Sequence, residues 1–467
     1  MTEKKRPEPV GEPGEAQGLE NAAKSVEAQG PGHAVEAQKR RRASEPAKTQ
    51  EPVGASEPAE TNALGAPLPR NWLATVAVIW CGQAASVFST CAASFAAMWY
   101  ITETTSSPLW LSLASAAALL PIALLSPFGG VAADRFRRTR VMILADGGAG
   151  AFSLVLAIAV FAGLASIPLM LALLAVRACA QAFHSPALTA LMPSLVPERH
   201  LVRINSMDQT ITSLSSIAGP ALGILLYTTV GLGGVMVLDA ACAAVACICL
   251  VAARVPEGAP SSAPSASPLA DLREGAAVIA ANRGLRNLMI LVMVTMLLFM
   301  PAGSLTPLMT YQHFGGDGWQ ASLVEAVFGA GLLVGSAVIM VWGAGKRRMA
   351  VVIGSGIVLG IALACCGLLK PNQFPLFAAL MGVAAAAIGC FNAPTLPLIQ
   401  KNVPENTLGR VMGIFLAGSS LAAPAGLVVS GFVAEHIGIT AWFVVCGLLT
   451  AACCAIAIGS KSLRKLE

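Results

Sequence analysis

Charged side chains are scarce in this chain: only 12% of its 467 residues are Asp, Glu, Lys or Arg, whereas 55% are hydrophobic. A water-soluble protein carries about 25% charged residues, so the chain lacks the polar surface that a soluble globular protein of this size needs. The mean hydropathy of +0.70 instead predicts a polytopic membrane protein. The net charge of +5 is too small to favour a nucleic acid as partner.

Sequence motifs of common enzymes are also absent. The chain contains no G-x-x-x-x-G-K-[ST] loop, so it is not expected to hydrolyse ATP by itself, and it contains neither H-E-x-x-H nor G-x-S-x-G. All 12 cysteines lie in apolar runs after residue 70 and none has metal-type spacing beside histidines, so we interpret them as apolar filler. We expect no enzymatic activity, no catalytic residue, no metal and no cofactor.

Residues 1–70 differ from the rest because they contain almost no Ile, Leu, Phe or Trp. Short sequences recur there; Glu8-Pro9-Val10-Gly11, for example, reappears as Glu51-Pro52-Val53-Gly54. Such a segment buries too little apolar surface to offset the entropy of ordering it, so we expect a disordered cytoplasmic tail. No apolar stretch follows the early lysines, which argues against a signal peptide. The basic run at 39–42 is interpreted as a solvated charge run, with contact to anionic lipid as the alternative.

Long apolar segments dominate the remainder of the chain. A helix that spans a membrane needs about 20 mostly apolar residues, and within lipid the backbone must satisfy its own hydrogen bonds, so these segments are predicted to be helices. The sequence therefore predicts an all-α membrane protein with twelve transmembrane helices. The twelve segments run over 73–101, 109–133, 141–163, 167–192, 204–230, 234–253, 286–311, 320–343, 349–369, 375–399, 410–434 and 440–459.

Basic residues in the connecting loops alternate strictly between the two sides of the membrane. Loops on one side, together with the C-terminus, carry eighteen Lys and Arg residues, whereas the alternate loops carry only Lys370. Cytoplasmic loops of membrane proteins are enriched in Lys and Arg, so the basic side and both termini are predicted to be cytoplasmic. One missed segment would disturb the alternation, which supports the count of twelve. We expect a multi-pass protein of the cell membrane.

The longest connection divides the apolar segments into two sets of six. Its Pro-rich part covers 255–268, and a short surface helix is predicted at about Asp271–Asn282. The predicted domains are the tail over 1–70, a first half over 71–254, a cytoplasmic linker over 255–285, a second half over 286–460 and a C-terminus over 461–467.

The two halves resemble each other in sequence. Phe183-His184-Ser185-Pro186 corresponds to Phe391-Asn392-Ala393-Pro394, near the end of the fourth segment of each half. Two six-helix halves related by an axis along the membrane normal form a known transporter plan. In that plan the substrate site lies between the halves near the midplane, and rocking of the halves gives alternating access.

The loop after the second segment carries a charged motif, Gly130-Val131-Ala132-Ala133-Asp134-Arg135-Phe136-Arg137-Arg138. It resembles the G-x-x-x-D-R-x-x-R signature of the major facilitator superfamily, with Arg137 in place of the family's usual glycine. Longer stretches, including Leu125–Asp146 and His313–Arg348, are similar to the macrolide-efflux branch of the drug:proton antiporters, a branch that also contains siderophore exporters. The resemblance covers about residues 72–459 and implies the major facilitator fold.

The resemblance gives the motif Gly130, Asp134, Arg135 and Arg138 a mechanical role. A carboxylate is stabilised at the positive N-terminus of a helix. In the superfamily, the residue equivalent to Asp134 docks on the eleventh span, which here begins near Gly409, and this contact latches the halves in the outward-open state. The alternative is a charge cluster that only sets topology.

A second motif lies in the fifth segment, where Gly219-Pro220-Ala221-Leu222-Gly223 resembles the antiporter signature of the superfamily. Gly219 and Gly223 also fit the general small-x-x-x-small pattern of helix packing. The motif is therefore interpreted either as antiporter-specific or as a packing site.

Few ionisable residues lie within the predicted spans, where they are costly and are therefore functional candidates. They are Asp146, Arg177, Asp208, Asp239 and Glu325. Asp146 and Arg177 lie in adjacent spans and are predicted to form either a proton-carrying site or a static buried pair. Asp239 and Glu325 are placed toward the outer side, where contact with outer water is the alternative to a function. His184 is expected to pack or to form a hydrogen bond.

The leading functional expectation is proton-driven efflux of an amphipathic organic compound, such as a macrolide-like antibiotic. The alternatives are export of an endogenous product such as a siderophore, a transport-inactive sensor or scaffold, and an intramembrane enzyme. The presence of Asp134, Arg177 and Gly219-Pro220 favours transport. The expected partners are a small-molecule substrate, protons and the lipid bilayer, with the chain acting as a monomer and the proton gradient as driving force.

Overall fold

A computed structural model describes residue 68 and residues 71–255, 268–343, 345, 347–404, 407–464 and 466. The predictions for the tail over 1–67 and for the Pro-rich stretch over 256–267 fall outside this part of the chain. Within it the structure consists of helices and their connections, without any strand, which confirms the predicted all-α class.

Fourteen helices follow one another in the described residues, and eleven of them are long and apolar enough to cross a membrane. The helices are α1 (Trp72–Thr105), α2 (Pro108–Arg135), α3 (Arg138–Phe161), α4 (Ile167–Leu195), α5 (Glu198–Ala252), α6 (Pro268–Ala281), α7 (Arg283–Ser304), α8 (Thr306–Gln312), α9 (Gly318–Trp342), α10 (Arg348–Leu368), α11 (Phe374–Lys401), α12 (Leu408–Ile437), α13 (Ile439–Ile458) and α14 (Lys461–Arg464).

Helix α5 contains two of the twelve spans. Its 55 residues would extend about 80 Å as one straight helix, far more than the roughly 30 Å of a bilayer core. At Gly231 the backbone leaves the helical region, with φ 69° and ψ 173°, a conformation that glycine adopts without a steric penalty. The contacts with α1 show that the chain reverses direction there. Before the break Gly223 packs on Ala92, and after it Ala246 packs on Gly82, which is nearer the start of α1. The count of twelve spans is thereby confirmed.

The seventh span is not one continuous helix as expected from 286–311. It divides into α7 and the short α8 at Leu305 (φ −89°, ψ 1°). Pro301 lies one turn before the break, and a proline within a helix removes one backbone hydrogen bond and crowds the preceding turn. The interruption therefore follows from local backbone chemistry.

Glycine residues allow helices within each half to approach closely. A Cβ added to Gly223 of α5 would lie 2.5 Å from the carbonyl oxygen of Ala92 on α1. In the second half, a Cβ added to Gly335 of α9 would lie 2.0 Å from the carbonyl oxygen of Ala386 on α11. Both distances are shorter than a van der Waals contact, so these helix backbones can approach so closely only because glycine has no side chain.

Helix α6 packs against the start of α12. Glu274 forms an ion pair with Arg410, and a Cβ added to Gly275 would lie 3.2 Å from the carbonyl carbon of the same arginine. The surface helix predicted in the linker is therefore present, and it lies next to the N-terminus of the eleventh span.

We name the two ends of the helix bundle by their charge. The basic face carries Arg138, Arg199 and Arg410, and the opposite face carries Ser107 and Asp317. The loop charges predict that the basic face is cytoplasmic.

The two halves contact each other at the opposite face. Glu435 at the end of α12 accepts hydrogen bonds from Ser107 Oγ at 2.8 Å and from the backbone nitrogen of Leu109 at 3.1 Å, both at the start of α2. Deeper in the bundle, the rings of Trp99 and Tyr311 meet edge to face with centroids 5.7 Å apart. These contacts close the opposite face.

The basic face is open by comparison. A Cβ added to Gly130 of α2, or to Gly409 or Gly413 of α12, would meet no atom of another described helix within 4 Å. Asp134, at the end of α2, is exposed. The bundle is therefore closed at the opposite face and open at the basic face.

Candidate functional site

Two adjoining cavities that differ in chemistry lie inside the bundle. The first, which we call the polar chamber, has a volume of about 350 Å³ and is lined by the first half alone. The second, which we call the apolar chamber, has a volume of about 330 Å³ and lies between the two halves. Ala118 of α2 lines both chambers. The polar chamber includes Gln83, Thr90, Asp146, Arg177, His184, Thr189 and Asp208. The apolar chamber includes Met98, Leu119, Phe299, Met300, Glu325, Phe328 and Met381.

Arg177 and Asp239 form a buried ion pair beside the polar chamber. Arg177 Nη1 lies 2.8 Å from Asp239 Oδ2, and Nη2 donates a hydrogen bond to Oδ1 at 3.2 Å. Ser153 Oγ donates to Oδ2 at 2.6 Å and Ser89 Oγ donates to Oδ1 at 3.0 Å. Both carboxylate oxygens are therefore satisfied, and Asp239 is only 3% exposed.

This geometry corrects two expectations. Arg177 is paired with Asp239 in this conformation, and not with Asp146 as predicted. Asp239 does not reach outer water. The reason is depth in the bundle: Ser153 is the α3 residue that contacts Arg177, and Asp146 lies seven residues, or about 10 Å, nearer to the basic face.

Asp146 belongs to a separate polar cluster. Gln83 Nε2 donates a hydrogen bond to Asp146 Oδ2 at 3.1 Å, and His184 Nε2 lies 3.3 Å from Asp146 Oδ1. That imidazole nitrogen is buried and has no well-aligned hydrogen-bond partner among the described residues, although it lies within ion-pair distance of the carboxylate. Asp208 of α5 is partly buried and lines the same chamber.

Glu325 of α9 lines the apolar chamber and has no hydrogen-bond or ion-pair partner among the described residues. Its surroundings are apolar: Met98, Phe299 and Phe328 line the same space, and the two phenylalanine rings are stacked with centroids 5.9 Å apart. Contact with outer water, the alternative given for Glu325, does not describe this position, because its side chain lines a chamber inside the bundle.

The first family motif lies at the basic face. Asp134 is exposed and does not contact Gly409 of α12. Gly130 and Arg135 lie beside it near the end of α2, and Arg138 begins α3. The latch between the halves is open in this conformation, so its role stays a prediction.

The second motif packs within the first half. A Cβ added to Gly219 would lie 2.6 Å from Cys91 Cβ on α1, and Pro220 is buried beside it. One turn further, Gly223 lies against Ala92. These glycines hold the fifth span against α1, and α1 also carries Gln83 and Ser89 of the polar clusters.

Several polar contacts of the site were not predicted. Gln83, Ser89 and Ser153 bind the buried carboxylates, whereas the residues predicted within the spans were ionisable ones and the glycine–proline motif at Gly219. Gln83 is an amide within an apolar segment, and this unusual placement is a signal that could have identified it. The two serines give no such signal, because serine is common in membrane helices.

Two six-helix halves around a cavity that is open at one face and closed at the other define a membrane transporter of the alternating-access class. Solved structures share this fold. A transporter of the POT family, crystallised with a thioalcohol-conjugated peptide, superimposes with a TM-score of 0.66 over 86% of this chain and 98% of its own, at 14% identity. A bacterial homologue of the iron transporter ferroportin in an inward-facing state gives a TM-score of 0.61 at 15% identity, over 82% of this chain and 98% of its own.

Proteins that are similar in sequence indicate which kind of transporter this chain resembles. Macrolide efflux protein A of Streptococcus pyogenes is 31% identical over 398 residues, covering 85% of this chain and 98% of that protein. Multidrug efflux pump Tap of Mycolicibacterium fortuitum is 27% identical over 385 residues, covering 79% of this chain and 91% of that protein. The family model described as "Transmembrane secretion effector" matches residues 65–467.

The chain belongs to this Transmembrane secretion effector family of the major facilitator superfamily. The resemblance to transporters of the macrolide-efflux type, predicted from the motifs, is confirmed. The protein is a multi-pass membrane transporter and not an enzyme.

Proposed function

We propose that the protein exports amphipathic organic compounds, such as macrolide-like antibiotics, across the cell membrane in exchange for protons. The observation that carries this proposal is the apolar chamber between the two halves, with the unpaired carboxyl of Glu325 in its wall. The names of the relatives, which include a macrolide efflux protein and a multidrug efflux pump, support efflux as the direction. In this proposal the basic face and both termini are cytoplasmic.

The chemistry of coupling follows from charge in an apolar environment. An ionised carboxylate without a partner is costly to bury, so Glu325 requires either a proton or a hydrogen-bond-donating group of the substrate when its chamber is closed. Proton and substrate then compete for one carboxyl. Such competition makes the protein exchange them, because either ligand satisfies the Glu325 carboxyl and allows the halves to rock.

Arg177 and Asp239 have a different part in this scheme. Their charges already compensate each other, and two serines satisfy the carboxylate. We assign them a static role that fixes α4 to the sixth span. A carboxylate must leave its partners before it can take up a proton. Asp239 would have to leave Arg177, whereas Glu325 has no described partner to leave.

The latch completes the cycle. When the basic face closes, Asp134 at the end of α2 meets the N-terminus of α12 near Gly409, where unpaired backbone N–H groups stabilise a carboxylate. The observed open latch and the closed opposite face fit one half of the cycle, in which substrate enters from the basic face.

Everted membrane vesicles containing the full chain test the proposal. Respiration acidifies the vesicle interior, and labelled erythromycin is expected to accumulate inside until nigericin collapses the pH gradient. Glu325→Gln keeps the size of the side chain but cannot exchange a proton. We expect this variant to retain downhill exchange of erythromycin and to lose accumulation against the gradient.

Glu198→Gln is the matched control, because Glu198 is an exposed carboxylate at the basic-face end of α5, outside both chambers. It should accumulate erythromycin like the unaltered chain. Accumulation by Glu325→Gln at the unaltered level would show that the coupling carboxyl is another residue. Absence of any nigericin-sensitive accumulation in the unaltered chain would contradict proton-driven export of this compound.

A further inference from the structure

We infer that the polar chamber contains a second subsite, which binds a protonated amine of the substrate between Asp146 and His184. The inference rests on the proposed function and deepens it: the apolar chamber receives the hydrophobic body of the substrate, and the polar chamber receives its ammonium group. The substrate class is therefore an amphipathic cation whose N–H group can donate a hydrogen bond.

The first argument is the charge of the polar chamber. Asp146 and Asp208 are both in its wall, and the charge of Arg177 is compensated by Asp239 at 2.8 Å. Among the described lining residues, no permanent cation balances the other two carboxylates; Gln83 supplies only a neutral amide donor at 3.1 Å. A cavity whose two remaining carboxylates face no permanent cation attracts cations and repels anions.

The second argument is the incomplete hydrogen bonding of His184. Its side chain is 7% exposed, it lines the chamber, and Nε2 has no well-aligned partner among the described residues. In the neutral tautomer that carries its proton on Nδ1, Nε2 is an acceptor. In that tautomer Nε2 and Asp146 Oδ1 are two acceptors 3.3 Å apart, and the single N–H of a protonated amine can be shared between them as a three-centre hydrogen bond.

The third argument is that the two chambers adjoin. Ala118 of α2 lines both, so the two chambers adjoin at α2, and the inference places the ammonium group of the substrate in one and its hydrophobic body in the other. The aromatic and methionine side chains of the apolar chamber provide adaptable contact for a hydrophobic body. The carboxylate of Asp146 provides a charge-assisted hydrogen bond, which is stronger than a neutral one, so the ammonium group fixes the orientation of the substrate.

Three related tricyclic probes test the subsite at equilibrium. Imipramine is a protonated tertiary amine with one N–H, its N-methyl quaternary derivative is a cation without N–H, and iminodibenzyl is the uncharged ring system. Binding is measured with the purified full chain in lipid nanodiscs at neutral pH, without any gradient. The unaltered chain should bind imipramine more tightly than iminodibenzyl.

Two variants separate charge from hydrogen bonding. Asp146→Asn should weaken imipramine binding about tenfold, the usual size of a lost charge-assisted hydrogen bond, and leave iminodibenzyl binding unchanged. His184→Leu removes the acceptor and should weaken imipramine binding but not binding of the quaternary derivative, because of these two cations only imipramine donates a hydrogen bond. Asp146→Glu, which keeps the charge, should restore part of the affinity, and Glu198→Gln should bind all three probes like the unaltered chain.

The inference is overturned if Asp146→Asn binds imipramine like the unaltered chain, or if imipramine and iminodibenzyl weaken together. It is also overturned if the unaltered chain does not prefer imipramine to iminodibenzyl. Because this experiment needs no gradient, its outcome is independent of proton coupling. Cation preference without proton-driven accumulation in vesicles would refute the coupling proposal alone, and accumulation without cation preference would refute the subsite alone.

Discussion

The two halves of the transporter treat charge within the membrane differently. In the first half, the Asp239 carboxylate is paired with Arg177 and accepts hydrogen bonds from two serines. In the second half, Glu325 faces an apolar chamber without a partner among the described residues. A satisfied charge stabilises one arrangement of helices, whereas an unsatisfied charge requires a ligand. The difference teaches that an ionisable residue in a span indicates function most strongly when the surrounding helices leave it unpaired.

The largest expected effect comes from breaking the satisfied pair. Arg177→Ala leaves the Asp239 carboxylate buried without its counter-ion, and removing one partner of a buried pair costs about 3–5 kcal/mol. We expect a lower thermal unfolding midpoint of the purified protein and reduced abundance in the membrane. Glu325→Ala, in contrast, removes an unpaired charge and should leave the midpoint unchanged or raise it. Equal losses in both variants would remove the proposed difference between the halves.

A double replacement sharpens the same comparison. In Arg177→Met with Asp239→Leu, both charges are replaced by apolar side chains, and such exchanges of buried pairs are often neutral for stability. The double variant should recover most of the unfolding midpoint that Arg177→Ala loses. Recovery together with retained proton-driven accumulation would establish the pair as structural. Recovered stability without accumulation would instead assign the pair a role in coupling.

The next largest effect is expected from a substitution at the basic face. Asp134→Asn keeps the shape of the side chain and removes the charge that is expected to dock on α12. Because Asp134 is exposed in this conformation, the unfolding midpoint should not change, whereas transport should slow and the inward-open form should gain population. Labelling of single cysteines at each face, together with vesicle transport, measures both. Unchanged transport would leave Asp134 with a role in topology alone.

A smaller effect is expected at the opposite face, where a substitution should favour opening of that face. Glu435 of the second half holds the start of α2 through Ser107 and Leu109. Glu435→Gln weakens these exposed hydrogen bonds without removing their geometry, so we expect a modest shift toward opening at the opposite face. The cysteine-labelling assay should show increased accessibility near Ser107. A shift toward closure would contradict the assignment of Glu435 as a contact that holds this face shut.

The smallest effect is expected from the N-terminal tail. A chain that begins at Leu68 lacks the segment whose composition cannot contribute to an apolar core. It should reach the membrane and accumulate erythromycin like the full chain. Loss of accumulation at normal membrane abundance would reveal a function of the tail that neither half of the transporter supplies.

The sequence by itself determined the elements of this protein. Apolar length set the spans, because each helix in lipid must be long enough to cross the hydrocarbon core and must satisfy its own backbone. The motif around Asp134 and the similarity of the two halves led to the superfamily, and the family match confirmed it. Even the reversal within α5 lies where the sequence separates two apolar segments, at Gly231.

Only the tertiary structure decided which charges meet. Asp146 and Asp239 are both carboxylates in apolar spans, and the sequence placed Arg177 beside the first because their spans are consecutive. In the structure, α5 packs closely on α1 through Gly219 and Gly223. In this packing Asp239 lies at the same depth in the bundle as Arg177. A helix shows a different face every residue and a different depth every 1.5 Å, so the pairing depends on how the helices rotate and slide as they pack. Glu325 remains unpaired for the same reason, and that is why its chamber can receive a ligand.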